Sequence, residues 1–328
     1  MEDILDLLEC YDKSNHVSIV PRFDAINIKT VYSNKWREEK CAPLAIVLNV
    51  LDSLYCMPER PDMAFTHLWK AINGAYNNLS YKNKTISGKL RDHDAINFSI
   101  NGINSVLDVV VDSNDGVTVN DIFIAYANAA PIKIMRFFSN YVIKTIIGYR
   151  CGCPAHLMNH TGMGFRAAHP TLFNAIEKTY GVMHTSSSAN VSVCKTRIDY
   201  VFKDGVNARA ITNEAAKTLK ECLVTLTASP YIPGNKNNSI SMKISREDRV
   251  RIMIDCILYA SRNNSFHGNH SPRLTSVSAS KDSVIGSIYL YILGTFYMSL
   301  TLFLSGEINA SELRFNIENV KNFISRYS

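Results

Sequence analysis

The sequence predicts a mainly α fold: a helical bundle with an inserted mixed α/β or irregular region and a small N-terminal segment containing β-structure. Three observations predict it. Apolar residues return every three or four positions, as in Phe65, Leu68, Trp69, Ile72, Tyr76 and Leu79, which lays one stripe of a helix against a core. Residues 283–305 carry no charge and are long enough to form a buried core helix. From 148 to 239 the texture changes to a Gly/Pro/His-rich opening and a Ser/Thr tract, so that part reads as an insertion. The expected organisation is an N-terminal segment at 1–45 and a helical domain at 46–328, interrupted at about 150–240.

Residues 2–12 read as a short amphipathic helix with Ile4, Leu5, Leu7, Leu8 and Tyr11 on its apolar side. From 17 to 32 the pattern turns β-like. Val17-Ser18-Ile19-Val20 stops at Pro21, and 26–31 alternates, which predicts a small hairpin or an edge strand. The charged stretch 35–40 reads as a solvated helix start. An apolar run at 44–56 ends where Pro58 and Pro61 oblige a break, and the next helix begins near Asp62. Residues 81–91 form a lysine-rich connection. Ile96, Ile100, Ile103, Leu107 and Val110 predict a helix over 94–111, ended by turn residues at 112–116. The stretch 119–147 reads as helix broken at Pro131. In the insertion, 193–202 supplies strand and 213–226 an amphipathic helix. Ser245, with Asp248 three residues on, opens a helix over 245–261, and 307–327 closes the chain as an amphipathic helix.

At 328 residues, 46% hydrophobic and 20% charged, the chain has material for a sizeable core, and long disorder is excluded. A formal charge of +6 permits an anionic partner without demanding one. Eight cysteines, with no secretory signal at the acidic start Met1-Glu2-Asp3, fit reduced thiols in a cytoplasm. Residues 283–305 have the length to span a bilayer. Gly286, Ser287, Gly294, Thr295, Ser299 and Thr301 interrupt the run and no basic cluster flanks it, which favours a buried core helix over a membrane anchor.

Cys151, Cys153, His156 and His160 offer soft metal ligands close together. Structural zinc sites pair a knuckle with a second, distant pair of ligands, whereas here the spacing is tight and all four are local, so no metal is expected. Gly162-Met163-Gly164 lacks the surroundings of a phosphate-binding loop, and neither a G-x-S-x-G nor an H-E-x-x-H pattern occurs, which removes the serine hydrolase and zincin classes.

The stretch Arg262-Asn263-Asn264-Ser265-Phe266-His267 follows an apolar helix and precedes a Gly/Ser/Pro loop. Arginine is a permanently charged fork suited to anionic oxygens, and histidine exchanges protons near neutrality, so the pair is a minimal phosphoryl-transfer kit. Five residues along a helix turn through about 140°, so Arg262 and His267 share a face only if the helix ends or distorts. Asn263, Asn264 and Gly268 suit a helix ending there.

This R-N-x3-H pattern, followed by Gly268 and placed between two apolar helices, resembles the RNase motif of HEPN proteins. Its wording is similar to the prokaryotic HEPN families associated with defence and toxin systems. Residues 65–76 (FTHLWKAINGAY) add a second likeness, to the Trp/Asn/Tyr first helix of those families. The resemblance covers the helical parts of 46–150 and 245–305. It implies an endoribonuclease needing neither metal nor cofactor, in which His267 is the general acid/base, Arg262 stabilises charge on the phosphate and Asn263 orients. Asn264, His270, Asn73 and Tyr76 stand beside these as substrate-side candidates. A homodimer with a composite active site, RNA as partner, a regulatory partner protein and an antiviral or toxin-like setting are also implied. Two other readings stand against it: a non-catalytic helical module that holds RNA, a nucleotide or a protein, and a protein anchored in a membrane through 283–305.

Overall fold

Residues 27–83, 91–180, 187–202, 208–230, 241–266 and 280–327 are described by a computed structural model, and helices dominate them over a few two-stranded ribbons. The chain divides into two compact units. Unit one takes the chain up to Pro131 and again from Ser261, and unit two runs without interruption from Ile132 to Ala260. The second unit is broader than the 150–240 expected from texture, because the helix beginning at Ile132 packs with the inserted elements while its sequence carries the apolar pattern of a bundle helix.

Unit one opens with an extended stretch, 27–33, that pairs with no described strand. The buried Asn319 meets it instead. Its amide oxygen accepts from the Lys29 N–H at 2.8 Å and its amide nitrogen donates to the Lys29 carbonyl at 2.8 Å, so one side chain satisfies the backbone that an edge strand would offer. The rest of the expected hairpin and the helix at 2–12 lie outside the described residues. Helix α1 (Asn34–Glu39) follows, then α2 (Leu44–Tyr55), which buries Ile46, Val50 and Ser53. Helix α3 (Pro61–Lys82) starts with proline at its first position and Asp62 in its first turn, both suited to a helix N-terminus. Its whole predicted stripe is buried. Helix α4 (Asp92–Asn104) ends well short of 111. The β-branched run Val109-Val110-Val111 leaves the helix, and β1 (Val110–Asp112) pairs antiparallel with β2 (Val117–Thr118). Asp112 is fixed there by Arg314, whose Nε lies 2.9 Å from its carboxylate. A capping box of Thr118 and Asp121 starts α5 (Val119–Ala129).

Unit two begins with α6 (Ile132–Arg150), and its C-terminus is a Schellman motif. Gly152 sits in the left-handed region at φ +69°, Cys153 N–H bonds to the Gly148 carbonyl at 2.9 Å, and Gly152 N–H to that of Tyr149 at 3.1 Å. Helix α7 (His160–Ala168) is capped by Asn159 and lies so close to α6 that a Cβ on Gly162 would meet the Tyr141 carbonyl oxygen at 2.7 Å. Helix α8 (Pro170–Tyr180) follows. The expected strand at 193–202 is a hairpin: β3 (Ser187–Val191) pairs antiparallel with β4 (Ile198–Phe202), with the turn at 192–197. Helix α9 (Ala208–Thr225) packs on α6 through a face that includes Ala215, Leu219 and Cys222. Ribbon β5 (Thr227–Ala228) with β6 (Met242–Lys243) leads to α10 (Arg246–Arg251), opened by the Ser245–Asp248 capping box the sequence predicts. Arg249 is 2% exposed. Its Nε donates to the Leu223 carbonyl at 2.6 Å and its Nη2 to that of Val224 at 3.2 Å, so a guanidinium serves the carbonyls at the end of α9.

The helical run continues as a π-helix over Ile252–Tyr259 and returns to α geometry in α11 (Ala260–Phe266). In unit one, α12 (Lys281–Leu304) is the central helix, packed most extensively on α3. By length and composition it could cross a membrane, with a mean hydropathy of 1.6, yet 83% of that apolar window is buried inside the fold. Its polar groups have partners: Thr295 and Thr301 donate to carbonyls four residues back, and the Tyr291, Tyr297 and Tyr289 hydroxyls meet Ser53, Ser99 and the Tyr126 carbonyl. Those hydroxyls need protein partners in a protein core. Past α12 the chain makes a single turn of tight helix at Ala310–Arg314 and ends in α13 (Phe315–Tyr327), so the expected 307–327 helix starts later than its pattern suggests.

Glu307, just after α12, is 9% exposed and receives Lys82 Nζ at 2.6 Å and Asn78 Nδ2 at 3.1 Å. Burial alone would raise its pKa, but the hydrogen bonds from Lys82 and Asn78 outweigh it and hold the carboxyl below the usual glutamate value. A depressed carboxylate stabilises the fold fully above the ordinary value of 4.5, and the contribution is lost as pH falls through the folded value. Glu307→Gln is therefore expected to flatten the acid limb of the stability profile below about pH 5 in urea titrations. An unchanged acid limb would remove Glu307 from the account.

Candidate functional site

Three helices of unit one bring polar side chains together. On α3, Trp69, Asn73 and Tyr76 follow at spacings of four and three, so they share one face. Trp69 and Tyr76 are buried, at 1% and 2% exposure. Asp92 is the first residue of α4, where the free N–H groups and the helix dipole favour a carboxylate. Arg262 and Asn263 come from α11.

The Tyr76 hydroxyl lies 2.5 Å from Asn73 Oδ1 and 2.9 Å from Asp92 Oδ1, two acceptors competing for its single proton. The other Asp92 oxygen is 3.3 Å from Arg262 Nη2, and Arg262 Nη1 donates to Asn263 Oδ1 at 2.8 Å. The guanidinium carbon sits 5.8 Å from the centroid of the Trp69 ring, within cation–π range. Burial first, then the hydrogen bond and charge of Asp92, push the Tyr76 phenol well above its ordinary value, and Arg262 opposes them only in part. Tyr76 therefore stays protonated, as a donor that holds Asp92. Arg262 keeps 17% of its side chain exposed and Asp92 39%, so the pair stands at the rim of the buried cluster with its charges accessible. An anion arriving here meets an arginine whose orientation is already fixed.

Of the residues picked from the sequence, Asn73, Tyr76, Arg262 and Asn263 come together. His267 and His270 lie outside the described residues, as does the Asn264 side chain. Asn263 and Asn264 do not end the helix, since α11 continues to Phe266 and neither has positive φ, while Gly268, the third residue suited to an ending, lies outside the described residues. Asparagine lies well under 1 kcal/mol below alanine in helix propensity, too little to stop a helix whose Arg262 is tied on two sides. The change of geometry lies upstream instead, in the π-helix Ile252–Tyr259, and π turns recur near functional sites. Cys151, Cys153, His156 and His160 lie in unit two, and among the described residues no three His, Cys, Asp or Glu side chains gather into a metal set.

Two pairings were not read from the sequence. Asp92 was not singled out, the helix being expected from 94, and its pairing with Arg262 spans 170 positions. In unit two, His169, whose side chain is 2% exposed, brings Nδ1 to 2.8 Å from Asp248, the same carboxylate that caps α10. Burial pushes the imidazole below its usual value against the pull of Asp248, so Nδ1–H of a neutral ring is the donor. The capping box made Asp248 legible, but nothing local linked it to a histidine at the end of α7.

Fold and site thus define a mainly helical protein with a fixed arginine–carboxylate pair backed by tryptophan and tyrosine. No family model, curated protein or solved structure matches the chain.

Proposed function

We propose that the chain is a metal-independent endoribonuclease of HEPN type, acting in the cytoplasm in antiviral defence or a toxin-like role. The observation that carries this reading is Arg262, held between the Asp92 carboxylate and the Trp69 ring with part of its fork exposed, within the motif that the resemblance singles out. In the proposed reaction a base takes the proton of a ribose 2′-hydroxyl, whose oxygen attacks the adjacent phosphorus. The 5′-oxygen leaves with a proton from an acid, and a 2′,3′-cyclic phosphate remains. His267 fills one acid/base role, and Arg262 stabilises the charge that gathers on the phosphate oxygens. Asn263, hydrogen-bonded to Arg262, orients it. Tyr76 and Asn73 act behind Asp92, because the buried phenol is a support for the carboxylate.

One chain supplies one motif, so the second acid/base group comes in this reading from a second copy. The exposed side of α2 supports such pairing. Leu44, Leu48, Leu51 and Tyr55 form a stripe at spacings of four, three and four, and are 67%, 51%, 54% and 91% exposed. This is the spacing with which a helix meets its own copy. Antiparallel about a two-fold axis, Leu44 faces the second copy's Tyr55 and Leu48 its Leu51, while the exposed Lys40 before the helix falls opposite the exposed Glu59 after it. Leu48→Lys is expected to raise the dimer dissociation constant at least about 100-fold in sedimentation equilibrium without altering the circular dichroism spectrum. An unchanged dimer would place the interface elsewhere, and a wild-type monomer would remove the composite site.

One observation favours the non-catalytic reading. Arg262 already has an anionic partner in Asp92, so the site could hold an RNA phosphate or a partner protein's carboxylate by exchange alone. Incubation with mixed RNA in excess EDTA, with typing of the ends, separates the two. Cleavage with cyclic-phosphate ends supports the nuclease, whereas binding that Arg262→Ala weakens, without any cleavage by folded wild type, supports the module.

A further inference from the structure

In unit two the Schellman ending of α6 fixes more than a helix terminus. Cys151 occupies the cap position, Gly152 the left-handed position and Cys153 the position after it. Both sulfurs converge on a single residue of β3. The Ala189 N–H donates to Cys151 Sγ at 3.3 Å, and the Cys153 thiol donates to the Ala189 carbonyl at 3.6 Å. Cys151 is exposed and Cys153 is 8% exposed. One thiol therefore faces solvent while the other waits beneath it. Two Cα–Cα steps span at most about 7.6 Å and the turn at Gly152 shortens that distance, which brings the pair within the range that a disulfide can bridge. Burial, and then the neighbouring Cys151, push the Cys153 thiol above its ordinary value. The same two sulfurs act on Tyr200, so thiols and phenol share one locus.

We propose that Cys151 and Cys153 form a redox-responsive dithiol, modified by hydroperoxides and closing to a Cys-Gly-Cys disulfide. Cys151, the exposed member, reacts first. Its thiolate sulfur attacks one oxygen of the hydroperoxide, the O–O bond breaks, and the other oxygen leaves as water or an alcohol after taking a proton. Cys151 is then a sulfenic acid. The Cys153 sulfur, having lost its proton, attacks the Cys151 sulfur, the S–S bond forms, and hydroxide leaves and is protonated to water. Two thiols have lost two electrons, and the hydroperoxide has gained them. Oxidation removes the Cys153 donor from the Ala189 carbonyl, so the edge of β3 is where the change is felt. The proposal is independent of the ribonuclease reading, because all of its groups lie within unit two.

The test treats the full chain with graded hydrogen peroxide, blocks remaining thiols with iodoacetamide, and weighs the proteolytic peptides. The peptide holding Cys151 and Cys153 is expected to emerge unalkylated and two hydrogens lighter, and to regain both thiols in dithiothreitol. This should occur at a peroxide dose about tenfold below that which modifies the exposed Cys41. Cys194→Ser, which removes the exposed thiol of the β3–β4 turn, should leave the result unchanged. Cys151→Ser should leave Cys153 fully alkylated after unfolding. The proposal is overturned if Cys151 gains oxygens while Cys153 stays reduced, if Cys151 pairs with Cys194, or if both thiols survive doses that oxidise Cys41.

Discussion

In excess EDTA, Arg262→Ala is expected to slow RNA cleavage by about 10²–10³-fold, and His267→Ala by about 10²–10⁴-fold, while wild type leaves 2′,3′-cyclic phosphate ends. The arginine figure follows from its chemistry. A positioned cation aimed at the oxygens where charge gathers contributes far more in the transition state than in the ground state, and Asp92, Asn263 and Trp69 together remove most of its freedom before substrate arrives. Arg262→Lys should recover little of the rate, because an ammonium cannot face Asp92 with one edge and a phosphate with the other. Folding must be controlled separately, since Arg262→Ala leaves the half-buried Asp92 without its cation. Circular dichroism and the dimer mass should remain those of wild type. Cleavage by Arg262→Ala at the wild-type rate would remove the arginine from the mechanism, and intact RNA after incubation with folded dimeric wild type would move the weight to the binding module.

The second large effect is structural. Arg249→Met is expected to lower the stability of unit two by about 3 kcal/mol, while unit one keeps its protection against hydrogen exchange. Methionine keeps the apolar part of the side chain but is shorter than arginine, so the loss combines the missing hydrogen bonds with the space the guanidinium vacates. Removing the guanidinium strips donors from the Leu223 and Val224 carbonyls, which sit at a helix end with no further turn to receive them. Arg249→Lys should not restore the loss, because one ammonium cannot reproduce the spread of a fork that serves two carbonyls. Amide exchange over 208–225 is the sharpest readout. Unchanged protection there would mean that the end of α9 is satisfied by other means.

Much of the helical scaffold was legible because burial repeats at the period of the helix. Phe65, Leu68, Trp69, Ile72, Tyr76 and Leu79 are all buried, and Ser245 opens a helix through a box written within four residues. The miscast elements have local sequence that satisfied two patterns at once. Leu107 and Val110 fit a helical period, but Val109-Val110-Val111 also fits a strand, and the distant Arg314 decides by holding Asp112. In the candidate site, Arg262 was legible from residue type and position, Asn73 and Tyr76 from their face on α3. Asp92 was not, since an acid at the start of a helix is satisfied by the helix itself and gives no sign of the arginine it meets. The small hairpin or edge strand expected at 17–32 is described only from residue 27, and there the backbone finds its partner far along the chain. An asparagine nearly three hundred residues away bonds the Lys29 backbone, which pairs with no strand among the described residues.

That asparagine has a consequence for the order in which the molecule is made. Unit two is contiguous in sequence, so every contact within it is available once Ala260 has left the ribosome, whereas unit one is split and its early piece must wait for α12 and α13. Until then the apolar face of α3 has no central helix to cover it, and the stretch at Lys29 has no Asn319 to receive it. Joining these ends closes contacts of very high sequence separation, the slow kind. Arg262 belongs to the late piece, while Asp92, Tyr76 and Trp69 belong to the early one. The arginine–carboxylate pair therefore cannot form until the whole of unit two has been made.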